Sequence, residues 1–162
     1  MPDGVQIRDV DHGYQLLLKT VAEMKSTKPC VVVGILESEA GNSHDGVTVL
    51  DKAIWNEFGT KRKDGREHVP ARSFVRAWFD AHKVEGHRKL TGLLRQVVAG
   101  KISDQQALER FGVWATASMK KRIADGIPPE NADSTIARKG GDKTTPLVDT
   151  GQLRTSINFA IR

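Results

Sequence analysis

The stretch AIWNEFGTKRKDGREHVPARSFVRAWFD, residues 53–80, joins two apolar segments through a densely charged loop. Its two ends, Ala53–Phe58 and Ser73–Phe79, have the apolar spacing of short helices. Gly59 suits the left-handed conformation that commonly closes a helix. Residues 60–70 are therefore predicted to form a long loop held between two helical anchors.

Basic side chains are concentrated in this loop and in a second segment, residues 128–146. The second segment contains three of the six prolines, no aromatic residue and a basic centre. Long loops without secondary structure are uncommon in compact domains and are usually functional or disordered. We therefore interpret both as extended mobile loops that contact a partner. The candidate contacts with a neighbouring subunit or with DNA are Lys61, Arg62, Lys63, Arg66, Arg72, Arg138, Lys139 and Lys143.

Five aromatic residues belong to the two helical anchors. Large aromatic side chains prefer burial, so we expect these five to pack together as a core below the loop. They are Trp55, Phe58, Phe74, Trp78 and Phe79.

The residues that precede this stretch predict a helix, a strand, a turn and a returning strand. Apolar residues recur at three- and four-residue steps over Asp11–Ser26, which indicates an amphipathic helix lying on a sheet. CVVVGILE, residues 30–37, has the β-branched content of a buried strand. Cys30 is expected to be a buried thiol without a metal or redox role. Residues 39–46 predict a turn, after which Val47–Leu50 form a returning strand.

The residues that follow are predicted to be mainly helical. One helix extends from Phe74 to about Val84, Gly86 interrupts it, and His87–Val98 form another. Ser103-Asp104-Gln105-Gln106 matches a capping box, and the apolar stripe that begins there continues to Gly126. We expect this long helix to cross the sheet.

The carboxyl-terminal residues predict a short capped turn and a final strand. Asp149 or Thr150 is expected to cap a helical turn that ends at Arg154, and alternating apolar residues predict a half-buried strand over Ile157–Ile161. The whole pattern predicts an α+β fold in which a small, mainly antiparallel sheet packs against a long α-helix. With 162 residues, the chain suits one domain.

Charge is distributed unevenly between the two parts of the chain. Residues 1–57 carry 5 Lys/Arg against 9 Asp/Glu, a net charge of −4, whereas residues 58–162 carry 20 against 11, a net charge of +9. A basic region favours nucleic acid or an acidic protein surface as its partner. No apolar run reaches the length of a membrane span, and the first residues lack a signal-peptide pattern. We therefore expect a protein that functions without secretion or a membrane.

The residue patterns do not predict a catalytic or metal site. Leu147–Gly151 resembles the Asp-Thr-Gly motif of retroviral-type aspartic proteases, but 11 residues follow it, too few for the strands of that cleft. His82 and His87 are five residues apart, which does not match the spacing of metal-binding helices. We therefore expect no enzyme, no cofactor and no metal.

Four ordered blocks resemble the tail-component and virion-morphogenesis proteins of tailed bacteriophages. The resemblance extends from Ala53 to the end of the chain, about two thirds of its length. The blocks are Ala53–Thr60, Val69–Phe74, Ser134–Gly140 and Pro146–Ile157.

This resemblance implies a structural virion protein that forms a ring at the head–tail junction, as a neck, tail-completion or head–tail joining subunit. Such rings commonly contain six copies. The implied partners are other copies of the chain, the head-connector proteins above and the tail-tube or terminator proteins below, with non-specific contact to genomic DNA in the channel. Assembly would take place in the host cytoplasm.

Three alternatives remain open on the sequence alone. The first is a tail terminator ring that caps the tail tube. The second is a basic nucleic-acid-binding module, which would require aromatic residues interleaved with Lys and Arg on one exposed surface. The third is a toxin-like nuclease, although the sequence lacks a clustered set of His, Glu and Arg.

Overall fold

A long helix lies across a two-stranded antiparallel sheet, which confirms the predicted α+β class. The computed structural model describes residues 14–27, 29–41, 43–44, 46–138, 146–147 and 151–162. The elements in chain order are α1 (Tyr14–Thr27), β1 (Val31–Ile35), α2 (Glu37–Ala40), β2 (Ser43–His44), β3 (Val47–Thr48), α3 (Val49–Phe58), β4 (Thr60–Lys61), β5 (Glu67–Val69), α4 (Phe74–Val98), α5 (Asp104–Ala124), α6 (Asp133–Arg138), α7 (Gln152–Thr155) and β6 (Ile157–Ile161).

The sheet joins two predicted strands that are far apart in the chain. β1 pairs antiparallel with β6, so that Val31 faces Ile161 and Ile35 faces Ile157. Beyond the strands, Cys30 and Arg162 exchange two backbone hydrogen bonds of 2.8 and 3.0 Å. α5 packs on both strands, as the sequence predicted for this helix.

The core lies between α5, the sheet and the start of α4. Its fully buried side chains, with relative exposure below 2%, include Met119 and Ile123 of α5, Val49 of α3 and Ile157 of β6. The capping box at the start of α5 is present, since Ser103 Oγ accepts from the Gln106 N–H and Gln106 Oε1 accepts from the Ser103 N–H. The position of α5 is therefore supported both by its buried side chains in the core and by the capping box at its start.

Gly86 does not interrupt the second predicted helix, because α4 is continuous over 25 residues. A glycine inside a helix costs about 1 kcal/mol relative to alanine. Here the missing side chain lets Trp114 of α5 approach the α4 backbone, since a Cβ at Gly86 would lie 3.3 Å from the Trp114 ring. The prediction of a break was therefore wrong, and the glycine serves helix packing.

Two predictions about the amino-terminal part also need correction. Val47–Leu50 is not one strand: β3 ends at Thr48, whose hydroxyl accepts from the Asp51 N–H at 3.1 Å and caps α3. α1 forms, but Leu18 and Val21 are exposed rather than buried on the sheet. Residues 11–13 and parts of the predicted turn at 39–46 lie outside the described residues.

The five aromatic residues do not form one core. Phe74 is buried and Trp78 is half-buried, whereas Trp55, Phe58 and Phe79 are exposed. Apolar residues at helical steps mark one face of a helix, but they do not reveal whether that face meets the chain's own core or the surface.

At the carboxyl terminus, the N-cap residue of α7 provides no side chain to cap the helix. Its N-cap is Gly151, which adopts a left-handed φ of 79°. Asp149 and Thr150, the predicted caps, lie outside the described residues. The final strand is confirmed as β6.

Cys30 is exposed, so the expectation of a buried thiol was wrong. It lies one residue before β1, where its backbone pairs with Arg162 while its side chain faces solvent. We expect Cys30→Ser to change the free energy of unfolding by less than about 0.5 kcal/mol, as for most surface substitutions. We also expect the native thiol to react with a maleimide about as fast as the thiol of the unfolded chain. A thiol protected until the protein unfolds would contradict this placement.

Candidate interaction surface

The charged loop predicted at residues 60–70 is a short β-hairpin. β4 pairs antiparallel with β5, so that Thr60 faces Val69 and Lys61 faces Glu67. In the turn, the Arg62 N–H donates to the Arg66 carbonyl at 2.8 Å. These bonds satisfy backbone groups that a structureless loop would leave to water, so the charged side chains project from an ordered hairpin.

An ion pair orders the hairpin tip. The Asp64 carboxylate accepts from the Arg66 backbone N–H at 3.0 Å and lies 2.7 Å from the Arg66 guanidinium. The backbone hydrogen bond and then the side-chain hydrogen bond from Arg66 hold the pKa of Asp64 below its usual range. The stabilisation from this pair is therefore fully present above the ordinary Asp pKa, and it is lost as the pH falls through the lowered value.

Four of the eight candidate contact residues are brought together on the hairpin. Lys61, Arg62, Lys63 and Arg66 are all exposed. Arg138 ends α6, and its side chain, like Lys139 and Lys143, lies outside the described residues. Within the described ranges, the predicted basic surface therefore consists of the hairpin.

Arg72 does not belong to this exposed set. It is 7% exposed, and its guanidinium donates from Nε to the Pro129 carbonyl at 2.7 Å and from Nη2 to the Glu130 carbonyl at 2.8 Å. Burial lowers the pKa of Arg72, and Glu67 opposes that shift. The side chain thus connects the exit of the hairpin to the segment after α5.

The hairpin is mounted on a rigid frame made by α3 and α4. Glu57 provides most of this connection: its carboxylate accepts from the Val75 N–H at 3.0 Å, and its carbonyl accepts from Ser73 Oγ at 2.7 Å. A carboxylate at a helix start pairs with unsatisfied N–H groups and with the helix dipole. No local sequence pattern marks Glu57, because its partners are 16 and 18 residues away.

Gly59 fixes the angle between α3 and the hairpin. It has a φ of 73°, and a Cβ there would lie 2.9 Å from the Val69 carbonyl oxygen. Only glycine fits both the conformation and the close approach. The frame and its hairpin therefore hold one relative orientation.

An apolar stripe on α3 faces solvent beside the hairpin. We call Leu50, Ile54 and Phe58 the α3 stripe. They recur every four residues, so they lie on one side of the helix, and they are 42%, 45% and 73% exposed. On the adjoining α4, Val75 and Phe79 are exposed as well. Neighbouring apolar side chains on a surface indicate an interaction site.

A second apolar feature, the aromatic groove, lies between α4 and α5. It has a volume of about 200 Å³. Trp114 is its centre, with ring centroids 5.4 Å from Phe111 and 6.3 Å from Trp78. The Trp78 indole N–H donates to Ser118 Oγ at 2.8 Å, which fixes that ring. The groove is lined by Trp78, Phe79, His82, Lys83, Gly86, His87, Leu90, Phe111 and Trp114.

Among the residues that the structure describes, no three His, Cys, Asp or Glu side chains are grouped to hold a metal ion. No helix in the described ranges has the length and apolar character needed to cross a membrane. Comparison with family models, with curated proteins and with solved structures gave no match.

Proposed function

We propose that this protein is a structural virion protein that forms a ring at the head–tail junction of a tailed bacteriophage. The observation that carries the proposal is the exposed α3 stripe beside the basic hairpin, both on a rigid frame. Apolar side chains exposed in this way are costly for a monomer and are covered when copies associate. Contacts between two different surfaces generate closed rings when the rotation closes.

The sequence resemblance supports the same proposal. Two of its four blocks, Ala53–Thr60 and Val69–Phe74, contain the residues that build the frame: Glu57, Gly59 and Arg72. The resemblance thus falls on residues whose contacts orient the hairpin, and not only on apolar positions that any core would share.

A nucleic-acid-binding module is the second candidate, and the basic hairpin is the observation that favours it. Binding of single strands combines basic side chains with aromatic rings on which bases stack. Residues 60–69 contain four Lys or Arg residues and no Phe, Tyr or Trp, with His68 as the one ring that could stack on a base. This composition suits an electrostatic contact with an acidic protein surface or with the phosphate backbone better than base recognition.

The hairpin charges supply a direct test. Replacing Lys61, Arg62, Lys63 and Arg66 with Gln should change the free energy of unfolding by less than about 0.5 kcal/mol, because the side chains are exposed. The joining of heads to tails should fall at least tenfold in a complementation assay, since the electrostatic contact is lost.

A matched variant controls for the loss of four charges. Arg95, Lys101, Arg110 and Lys121 are exposed on α4, on α5 and between them, and their replacement with Gln should leave joining intact. Normal joining by the hairpin variant would refute the proposed role of these residues. Equal losses of joining in both variants would show that the effect depends on the net charge of the protein and not on the position of the four hairpin residues.

The position of the protein in intact particles distinguishes neck from terminator. Antibody labelling or a density map of virions should place it between the head connector and the tail tube. Its detection only at the top of isolated tails would favour the terminator ring, and its absence from particles would contradict a structural virion role.

A further inference from the structure

We propose that the free basic residues of the hairpin bind the phosphate backbone of duplex DNA, and that Asp64 limits this binding by holding Arg66 in an ion pair. The free basic residues are Lys61, Arg62 and Lys63. This inference deepens the proposed function and rests on it only for the source of the DNA, the genome in the channel of the ring. It goes further by naming the partner of the hairpin and an internal carboxylate that regulates the affinity.

The exposed side chains of the hairpin suit DNA better than a protein surface. Every residue from Lys61 to His68 is exposed, and none of them has an aliphatic or phenyl side chain. Protein–protein interfaces have an apolar core and are depleted of Lys, whereas protein–DNA interfaces are more polar and much more positively charged. Single-stranded nucleic acid is bound on rows of aromatic rings, and His68 is the one ring here. The composition therefore favours the phosphates of a duplex.

Three of the four basic side chains on the hairpin are available to a partner. In the part of the chain that the structure describes, no ion pair engages Lys61, Arg62 or Lys63. Consecutive Cα atoms are about 3.8 Å apart, which is close to the rise of about 3.4 Å between phosphates along one DNA strand. Long side chains from three consecutive positions can therefore reach neighbouring phosphates.

The backbone that presents these charges is fixed by its own hydrogen bonds. The Gly65 N–H donates to the Arg62 carbonyl at 2.9 Å, and the Arg62 N–H donates to the Arg66 carbonyl at 2.8 Å. Gly65 has a φ of 84°, a conformation that glycine adopts without strain. A surface presented by an ordered backbone loses less conformational entropy on binding than a flexible loop. The hairpin tip is therefore a preformed cationic surface.

Arg66 differs from the other three because Asp64 occupies its guanidinium. Asp64 Oδ2 accepts from Arg66 Nε at 2.9 Å and lies 2.7 Å from Nη2, while Oδ1 accepts from the Arg66 backbone N–H at 3.0 Å. A phosphate must displace this carboxylate before it can pair with the guanidinium. Because exposed ion pairs are weak, the competition should lower DNA affinity by no more than about fivefold. Asp64 thus acts as an internal competitor that keeps the contact weak.

The salt dependence of DNA binding counts the phosphate contacts. The logarithm of the binding constant falls linearly with the logarithm of the salt concentration, and the slope is proportional to the number of phosphates neutralised. We would measure it by fluorescence anisotropy with a short labelled duplex of mixed sequence. Replacing Lys61, Arg62 and Lys63 with Gln should weaken binding by about tenfold or more at low salt and remove most of the slope.

A matched triple variant controls for the loss of three charges. Arg95, Lys101 and Arg110 are exposed on α4, on α5 and between them. Their replacement with Gln should retain the slope of the wild type, because these residues lie outside the hairpin. A slope that is equal in the wild type and in the hairpin triple variant would overturn the proposed contact.

The regulating role of Asp64 has a test of its own. Asp64→Asn keeps an oxygen that accepts from the Arg66 N–H, so the turn is preserved, but it releases the guanidinium. This variant should bind the duplex up to about fivefold more tightly than the wild type. Its slope should be steeper by about one third, because a fourth cation joins three.

Two further variants show whether the gain comes from Arg66. Glu67→Gln removes one negative charge from the same hairpin but releases no arginine at the tip, so it should keep the slope of the wild type. In the Arg66→Gln background, Asp64→Asn should no longer steepen the slope. A slope that steepens equally in Glu67→Gln and Asp64→Asn would contradict the role of the Asp64–Arg66 pair.

The outcomes also separate this inference from the proposed function. A closed oligomer that binds polyglutamate but not the duplex would overturn the DNA contact and leave the ring intact. A monomer that binds the duplex with the expected slopes would support the contact and refute the ring. Circular dichroism of each variant confirms that the fold is retained.

Discussion

The Gly112→Ala variant is expected to unfold in less urea than the wild type, with a net loss of about 2 kcal/mol in the free energy of unfolding. Gly112 lies in the middle of α5, directly below the ring of Phe159 in β6. A Cβ at this position would overlap Cδ2 of that ring and would lie 2.6 Å from Cγ and 2.7 Å from Cε2. The overpacking should cost about 3 kcal/mol of stability, which exceeds the gain of about 1 kcal/mol from the higher helix propensity of alanine.

A second glycine provides the control. Gly92 also lies inside a long helix, α4, but a Cβ there would meet nothing within 4 Å. Gly92→Ala should therefore stabilise the protein by up to about 1 kcal/mol. Amide exchange over Ile157–Ile161 should accelerate only in Gly112→Ala, because only that change displaces β6. Equal or greater stability of Gly112→Ala would show that α5 does not pack on the sheet as described.

Replacement of Arg72 with Met is expected to lower the free energy of unfolding by about 3 kcal/mol. The buried guanidinium donates to the carbonyls of Pro129 and Glu130, and its removal leaves both carbonyl groups without this partner. Arg72→Lys should restore little of the loss, because a single ammonium group does not reproduce two donors in a planar fork. Urea denaturation followed by circular dichroism measures both variants.

Arg66→Met is the matched control for Arg72. Its side chain is 80% exposed and pairs with Asp64 only at the hairpin tip. Its replacement should change stability by less than about 0.5 kcal/mol. If Arg72→Met retained wild-type stability while abolishing the joining of heads to tails, Arg72 would act at a partner surface and the internal role would be contradicted.

The elements governed by local rules were predictable from the sequence. The capping box at Ser103 depends on neighbours within three residues, and the strand Ile157–Ile161 is marked by its own apolar alternation; both are present, although the strand's partner β1 lies far away in the chain. The continuity of α4 through Gly86 was not predictable, because it depends on Trp114, 28 positions further along the chain. Helix-breaking tendency is a weak preference that tertiary packing overrides.

The candidate surface was predictable only in part. Charge density identified the four basic residues that the hairpin exposes. The burial of Arg72 depends on two carbonyls more than 50 positions away, so no local sequence pattern could predict it. The exposure of Phe58 was missed for a different reason: an apolar stripe on a helix has the same spacing whether its own core or another copy covers it.

The solution mass of the purified wild-type protein tests the central claim most directly. Native mass spectrometry, with sedimentation at several concentrations, should show a closed oligomer with one defined number of copies, six being the number implied by the resemblance. A protein that remains monomeric at all concentrations, in the absence of any other virion protein, would contradict the proposal that the exposed α3 stripe joins copies of this chain.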